Sequence, residues 1–226
     1  MDNYYFDILV VDDHPIVRAG IKHIIETSGE MRVCGETGDG NQVLGLISNC
    51  NPDAVVLDLT IEGIDGLSLI GQIKARHPQL PVLILSMHDE SLYAERCIRA
   101  GSKGYLMKTK ASHELIRALH TVIGEGIFVS EAVKEQIVQS VAHSKTIPVY
   151  SIESLSPREF QVFRLYGEGL NGKTIADKLG CSPKTIETYC LRIRHKLGLH
   201  SLGELTAKAG SYFGSSVKKV IPRNNI

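Results

Sequence analysis

The stretch Ile8-Leu9-Val10-Val11-Asp12-Asp13-His14 decides how the first half of this chain folds. Four consecutive apolar residues are too few for a helix and too continuous for a strand with one wet face. They read as a strand covered on both sides, as in a parallel sheet. The carboxylates that stop the run then fall at the strand's carboxyl end. Val33 to Thr37, Ala54 to Leu57, Val82 to Leu85 and Tyr105 to Met107 repeat the pattern. Helical patterns lie around residues 17–28, 42–49, 67–77, 93–100 and 113–124, with Gly29, Pro52, Gly66, Pro78, Gly101 and Gly104 at the joins. Five βα units in this order predict an α/β doubly wound sheet in the flavodoxin-like order 2-1-3-4-5, with right-handed crossovers.

In such a sheet the carboxyl ends of the strands form the ligand crevice. Asp12 and Asp13 end the first strand, Asp58 the third and Ser86 the fourth, and Lys108 follows the fifth. Any one of them alone reads as a helix cap or a solvated loop residue. Together on one rim they suit phosphoryl transfer to a carboxylate. Clustered carboxylates favour a hard cation such as Mg²⁺, which offsets charge on the phosphoryl oxygens. One carboxylate can serve as nucleophile, while a hydroxyl and an ammonium hold the remaining oxygens.

Total charge is balanced at 25 basic and 25 acidic residues, yet residues from 151 onward hold 12 and 6, leaving 13 and 19 before them. An acidic half thus precedes a basic half, and the basic half suggests an anionic partner. The five cysteines show no metal-ligand spacing and read as free thiols in a reducing cytoplasm. The acidic start Met1-Asp2-Asn3 does not resemble a signal peptide, and no apolar run approaches a membrane span. A cytoplasmic chain with no membrane partner is the expectation.

A helix is expected from Ser130 to about Val141, with Val133, Ile137 and Val141 on one stripe, followed by a linker at His143–Pro148. The basic half then parses into four helices. Ser156-Pro157-x-Glu159 opens the first as a capping box with proline at N1. Asn171 caps a second, Gly180-Cys181 turns, and Ser182-Pro183 starts a third running to about Leu197. Its core positions are Ile186, Tyr189 or Cys190, Ile193 and Leu197, and Ser201 opens a fourth through Leu202, Leu205 and Ala209. Short helix, turn and longer basic helix follow the helix-turn-helix plan. The domains expected are 1–127, a linker helix and linker over 128–153, a helical domain over 154–213, and a basic tail over 214–226 carrying Lys218, Lys219 and Arg223.

Val10-Val11-Asp12-Asp13-His14, Val56-Leu57-Asp58-Leu59, Asp65-Gly66, Leu85-Ser86 and Gly104-Tyr105-Leu106-Met107-Lys108 together resemble the receiver domain of two-component response regulators. Leu155-Ser156-Pro157-Arg158-Glu159, Gly169-Leu170, Lys173-x-Ile175-Ala176, Ser182 to Glu187 and Lys196-Leu197-Gly198 resemble the LuxR-type helix-turn-helix domain of the NarL/FixJ group. The resemblance implies that a sensor histidine kinase phosphorylates Asp58. Mg²⁺ would be held by Asp12, Asp13, Asp58 and the carbonyl of Thr60. Ser86 and Lys108 would contact the phosphoryl group, and Tyr105 would match the aromatic whose rotation accompanies activation.

By position, Lys184, Thr185, Glu187, Thr188 and Leu191 would read base edges of double-stranded promoter DNA, while Lys173, Arg192, Arg194 and Lys196 would meet phosphates. Glu187 stands where relatives often carry a basic residue, and its carboxylate suits cytosine N4. Leu202 and Leu205 would form the contact of an active homodimer. Two departures are visible. Glu62 stands where receivers usually carry proline, and Lys108 is followed by Thr109 where many have a second proline. The rival readings are a Mg²⁺-dependent phosphatase using an aspartyl phosphate, and a phosphorylation-independent transcription factor with a vestigial receiver.

Overall fold

The computed structural model describes residues 5–61, 63–142 and 152–217, with backbone only for 140–142, 153, 157 and 215–217. The chain divides into two compact units at residues 144/145. Glu62, the linker at 143–148 and the tail cations Lys218, Lys219 and Arg223 lie outside the described residues. No described helix is long and apolar enough to cross a membrane.

The first unit is a five-stranded parallel sheet of β1 (Phe6–Val11), β2 (Met31–Thr37), β3 (Ala54–Leu57), β4 (Val82–Ser86) and β5 (Gly104–Met107), in the order β2-β1-β3-β4-β5. The apolar runs behave as their continuity predicts: Ile8 to Val11, Ala54 to Leu57 and Val82 to Leu85 are essentially solvent-free. Helices α1 (Pro15–Thr27), α2 (Val43–Cys50), α3 (Gly66–Arg76) and α4 (Glu90–Ala100) cross over between strands, and α5 (Ala111–Ile123) follows β5 and packs back on the sheet. Val10, Val56, Leu85 and Leu106 pack with Ile21 and Ile25 of α1 and Leu115, Leu119 and Val122 of α5, which closes one layer of the core.

Two features were not legible as sequence pattern. After α5 the chain returns along β5, where Tyr105 N donates to Phe128 O at 2.8 Å and Phe128 N to Lys103 O at 2.9 Å. This covers the open edge of β5, a site otherwise prone to intermolecular pairing. The helix read as a linker, α6 (Glu131–Ala142), packs on α4 within the first unit. Ser130 Oγ accepts from Val133 N, Val133 is buried, and Gln136 Nε2 donates to Ser91 O at 3.2 Å.

The second unit contains α7 (Pro157–Gly167), α8 (Gly172–Lys178), α9 (Pro183–Leu197) and α10 (Leu202–Val217). Its starts are those the sequence marks. Ser156 and Glu159 form the capping box, Asn171 accepts from Thr174 N, and Ser182 accepts from Thr185 N with Pro183 at the first helical position. Phe160 and Phe163 of α7 pack against Tyr212 and Phe213 of α10. The fourth helix thus runs beyond Ala209, because these rings continue its buried stripe.

Candidate functional site

The carboxyl ends of β1 and β3 lie side by side because Asp58 N donates to Val11 O at 2.8 Å, and Asp12 N donates to Thr37 O at 3.0 Å. That pairing puts the side chains of Asp12 and Asp58 under the same rim, 1% and 4% exposed. Lys108 reaches over from the end of β5, its Nζ 2.7 Å from Asp58 Oδ2 and 2.6 Å from Asp12 Oδ2. Ser86, at the end of β4 opposite Met107, is fully buried. Asp13 is partly exposed beside them. The residues read from the strand ends do converge.

The electrostatics follow from this packing. Burial pushes the Asp58 carboxyl above the ordinary aspartate range; Lys108 opposes that, and the Asp12 charge reinforces it. Burial also works against the charged form of Lys108, but hydrogen bonds to Asp12 and Asp58 outweigh it and hold the ammonium above the ordinary lysine range. One ammonium therefore faces two buried carboxylates. Asp58 Oδ1 is buried with no well-formed hydrogen bond, the Thr60 backbone N–H helping to hold the carboxyl ionised. A poorly satisfied carboxylate oxygen in that position is costly without a further cation or donor.

The loops around the rim are fixed by residues that the sequence reading used only as motif markers. Asp65 accepts from Ser68 N and Oγ, both at 2.9 Å, and caps α3. Gly66 lies so close to the preceding loop that a Cβ would stand 2.7 Å from the backbone of Leu59. The Asp-Gly pair thus anchors the loop that carries Thr60. Arg18 Nη1 donates to Asp12 O at 2.6 Å, and His14 N donates to Asp12 Oδ1 at 2.9 Å.

Two histidines belong to the site and were missed. One ligand atom each from Asp12, Asp13, His14 and Asp58 all lie within 4.8 Å of one another. His88 Nε2 is 3.0 Å from Thr60 Oγ1, its ring stacks on Tyr93, and its backbone joins Ser86 Oγ and the Tyr105 hydroxyl. Tyr105 is buried and donates to His88 O at 2.9 Å. A short run after β4 therefore links acceptor loop, hydroxyl and tyrosine. Only the position of His14 beside the acids could have signalled a role; nothing in the pattern signals His88.

On the second unit, α9 buries Ile186, Cys190, Ile193 and Leu197, which settles the choice between Tyr189 and Cys190. The opposite face exposes Lys184, Glu187, Thr188, Leu191 and Arg192, with Lys173 exposed on α8. Thr185 lies at the cap, its Oγ1 2.8 Å from Ser182 Oγ. Ser182, Lys184, Thr185, Thr188, Tyr189 and Arg192 line one concave patch.

The expected dimer role of Leu205 is corrected, and two residues expected at phosphates also carry internal partners. Lys196 does not point from this face as a free cation: its Nζ sits 2.7 Å from buried Glu159 and 3.1 Å from Ser154 O, bracing α9 against the start of α7. Arg194 donates to His200 O at 3.1 Å and braces the turn into α10. Leu205 is fully buried within its own unit and has no surface to offer a second chain, whereas Leu202 is 48% exposed. Helical spacing gave these residues a plausible face, and the tertiary packing used that face internally.

A doubly wound domain with an acidic, lysine-bridged rim, joined to a helix-turn-helix unit, defines a regulator with a receiver and a DNA-binding output. The response regulator receiver domain family matches residues 8–120, and the luxR family of bacterial regulatory proteins matches residues 153–209. The chain is 36% identical over 202 residues to the virulence-factor transcription regulator BvgA of Bordetella pertussis, covering 89% of this chain and 95% of that protein. It is 31% identical to the response regulator UvrY of Escherichia coli K12, covering 88% and 91%. Among solved structures, RcsB of Salmonella typhimurium matches with a TM-score of 0.67 at 27% identity, covering 92% of this chain and 98% of that one. RcsB of Salmonella enterica serovar Typhimurium, bound to promoter rprA with the phosphomimetic BeF₃⁻, matches with a TM-score of 0.64 at 27% identity, covering 91% and 98%. The chain belongs to the NarL/FixJ-type response regulators, DNA-binding transcription regulators that join a receiver to a LuxR-type domain.

Proposed function

We propose that Asp58 is the phosphoacceptor of this regulator and that a sensor histidine kinase supplies the phosphoryl group. The observation that carries this reading is the pairing of a poorly satisfied Asp58 Oδ1 with an Asp58 Oδ2 already held by Lys108. One oxygen is oriented and the other is left to attack. In the transfer, Oδ1 forms a bond to phosphorus while the bond from phosphorus to the donor's imidazole nitrogen breaks, and the imidazole leaves as a neutral ring after protonation. Lys108 stays to hold a phosphoryl oxygen, and the Ser86 hydroxyl, at the neighbouring strand end, accepts the same task.

The hard carboxylate donors clustered at the rim fit a divalent cation such as Mg²⁺, which Asp12, Asp13, Asp58 and the Thr60 carbonyl would hold. When bound, it neutralises charge on the transferred group. His14, whose ring nitrogen lies against Asp13, orients that carboxylate. Loss of the Lys108 link to Asp58 and movement of Ser86 would pull on His88, and with it on the Tyr105 hydroxyl. Phosphorylation thereby controls dimerisation, with Leu202 at the contact, and promoter binding.

On the output unit, Lys184, Thr185, Glu187 and Thr188 read bases, and Lys173 and Arg192 meet phosphates. A chain that reads promoter DNA in bacteria works in the cytoplasm. Asp58→Asn tests the acceptor: acetyl phosphate with Mg²⁺ should label the natural chain and not the variant, and equal labelling of both would overturn the assignment. The same samples bound to promoter DNA distinguish a phosphorylation-controlled regulator from one that ignores its receiver.

A further inference from the structure

Cys34 and Cys50, which read as isolated thiols in the sequence, meet in the fold. Cys34 lies in β2, Cys50 is the last residue of α2, and their sulfur atoms are 3.1 Å apart. Unbonded carbon atoms settle at about 3.5–4.0 Å, and sulfur is larger, so this is a close approach.

Two local features build it. In the pairing of β1 with β2, Ile8 opposes Val33 and Leu9 opposes Gly35, so Cys34 is an inserted residue with no partner on β1. Such a residue leaves the regular alternation, and the strand bends there. Beside it, Gly35 leaves room for the Cys50 sulfur: a Cβ at that position would stand 3.5 Å from Cys50 Sγ and 3.2 Å from Leu9 Cδ1. Cys50 Sγ also donates to Leu46 O at 3.1 Å, and Asn51 ends the helix in the left-handed conformation. Both thiols are half-buried, whereas Cys97 and Cys190 are buried.

We propose that Cys34 and Cys50 form a dithiol modification site, which a hydroperoxide converts to an intramolecular disulfide. The Cys50 thiolate attacks the terminal peroxide oxygen. The O–O bond breaks, the leaving alkoxide takes up a proton, and Cys50 becomes a sulfenic acid. The Cys34 sulfur then attacks the Cys50 sulfur, the S–O bond breaks, and hydroxide departs with the Cys34 proton as water. Two thiols are oxidised, and one hydroperoxide is reduced to an alcohol and water. Burial, reinforced by the neighbouring Cys50 thiol, pushes the Cys34 thiol up to about 12, which disfavours it as the first to meet the peroxide. The 3.1 Å approach to Cys50 is what lets it resolve the sulfenic acid. The bond would clamp the edge strand β2 to α2 without using any residue of the acidic rim.

The test uses the reduced full chain treated with hydrogen peroxide, followed by alkylation of free thiols under denaturing conditions. The expected result is a fall from five to three titratable thiols, a mass loss of two hydrogens, and a tryptic pair linking Cys34 to Cys50. Its rate should not depend on protein concentration. In Cys34→Ser, oxidation should stop at a Cys50 sulfenic acid that dimedone traps; in Cys50→Ser, Cys34 should remain a thiol. Retention of five thiols, or a Cys34 bond formed only between chains, would overturn the proposal. The peptide map of the unsubstituted chain decides it even where a variant folds poorly.

Discussion

The two charged regions of this regulator are built on opposite plans. The rim of the receiver holds its charges buried and already engaged, with one lysine between two carboxylates. The face of α9 holds its charges in water, with Lys184, Glu187 and Arg192 exposed on a helix whose other side is core. A buried charge constellation makes the protein itself sensitive to each member, because removing one strands another in low dielectric. An exposed one leaves the fold indifferent and shows its effect only when a polyanion arrives. The contrast predicts effects of different kinds as well as different sizes.

Lys108→Met should have the largest effect. It leaves Asp12 and Asp58 facing each other without their cation, a change worth about 3 kcal/mol at neutral pH, the lower end for breaking a buried pair. Asp58 already sits above the ordinary aspartate range and would rise further. The variant's deficit should therefore shrink as pH falls through the raised value, because protonation removes the stranded charge. Thermal unfolding from pH 4 to 7 measures this. A deficit that does not change with pH would mean that Lys108 acts by packing alone, and the contrast between the regions would fail on its stronger side.

Lys196 lies between the two plans. It is on the recognition helix, yet its ammonium serves the capping box at the start of α7. Burial acts against the ionised form of Glu159, but the Lys196 hydrogen bond and the Ser156 backbone N–H outweigh it and hold the carboxyl below the ordinary glutamate value of 4.5. Its stabilising contribution is thus present above about pH 4.5 and lost as pH falls through the lower folded-state value. Lys196→Met should cost about 1.5–3 kcal/mol at neutral pH, as for a hydrogen bond to a charged group, and the variant's acid limb should be flatter. A variant of unchanged stability with weakened DNA binding would return Lys196 to the phosphate contacts.

How far the sequence reaches depends on whether a role is carried by chain direction or by tertiary packing. Apolar continuity and strand-end position made Asp12, Asp58, Ser86 and Lys108 legible, since a parallel sheet puts all strand ends on one rim. Periodicity made Ile186, Ile193 and Leu197 legible for the same kind of reason. It could not say which neighbour a residue on a helix meets. Leu205 looked like an interface leucine and turned out to be core, and Lys196 looked like a DNA contact and also braces the start of α7. His88 acquires its partners only from the path of the loop after β4. Phe128 pairs with β5 through backbone atoms, which no side-chain pattern encodes. Cys34 and Cys50 meet because a crossover helix ends beside a bulge, a fact of topology.

Arg192→Ala carries the smallest effect on the fold and the clearest test of the exposed plan. The residue is exposed on the α9 face and lines the patch with Lys184 and Thr188. Its removal should leave stability within about 0.5 kcal/mol of the parent, as for surface substitutions away from caps and pairs. Binding to promoter DNA should weaken about equally on cognate and scrambled sequence, because a phosphate contact carries no base information. The plot of log affinity against log salt should lose about 0.9 of its slope, one released counterion. Glu187→Ala, on the same face, should instead change the ratio between the two sequences, because its carboxylate can accept from a cytosine amine. If Arg192→Ala altered that ratio while leaving the salt slope intact, Arg192 would be reading a base edge, and the division of the α9 face into phosphate and base contacts would have to be redrawn.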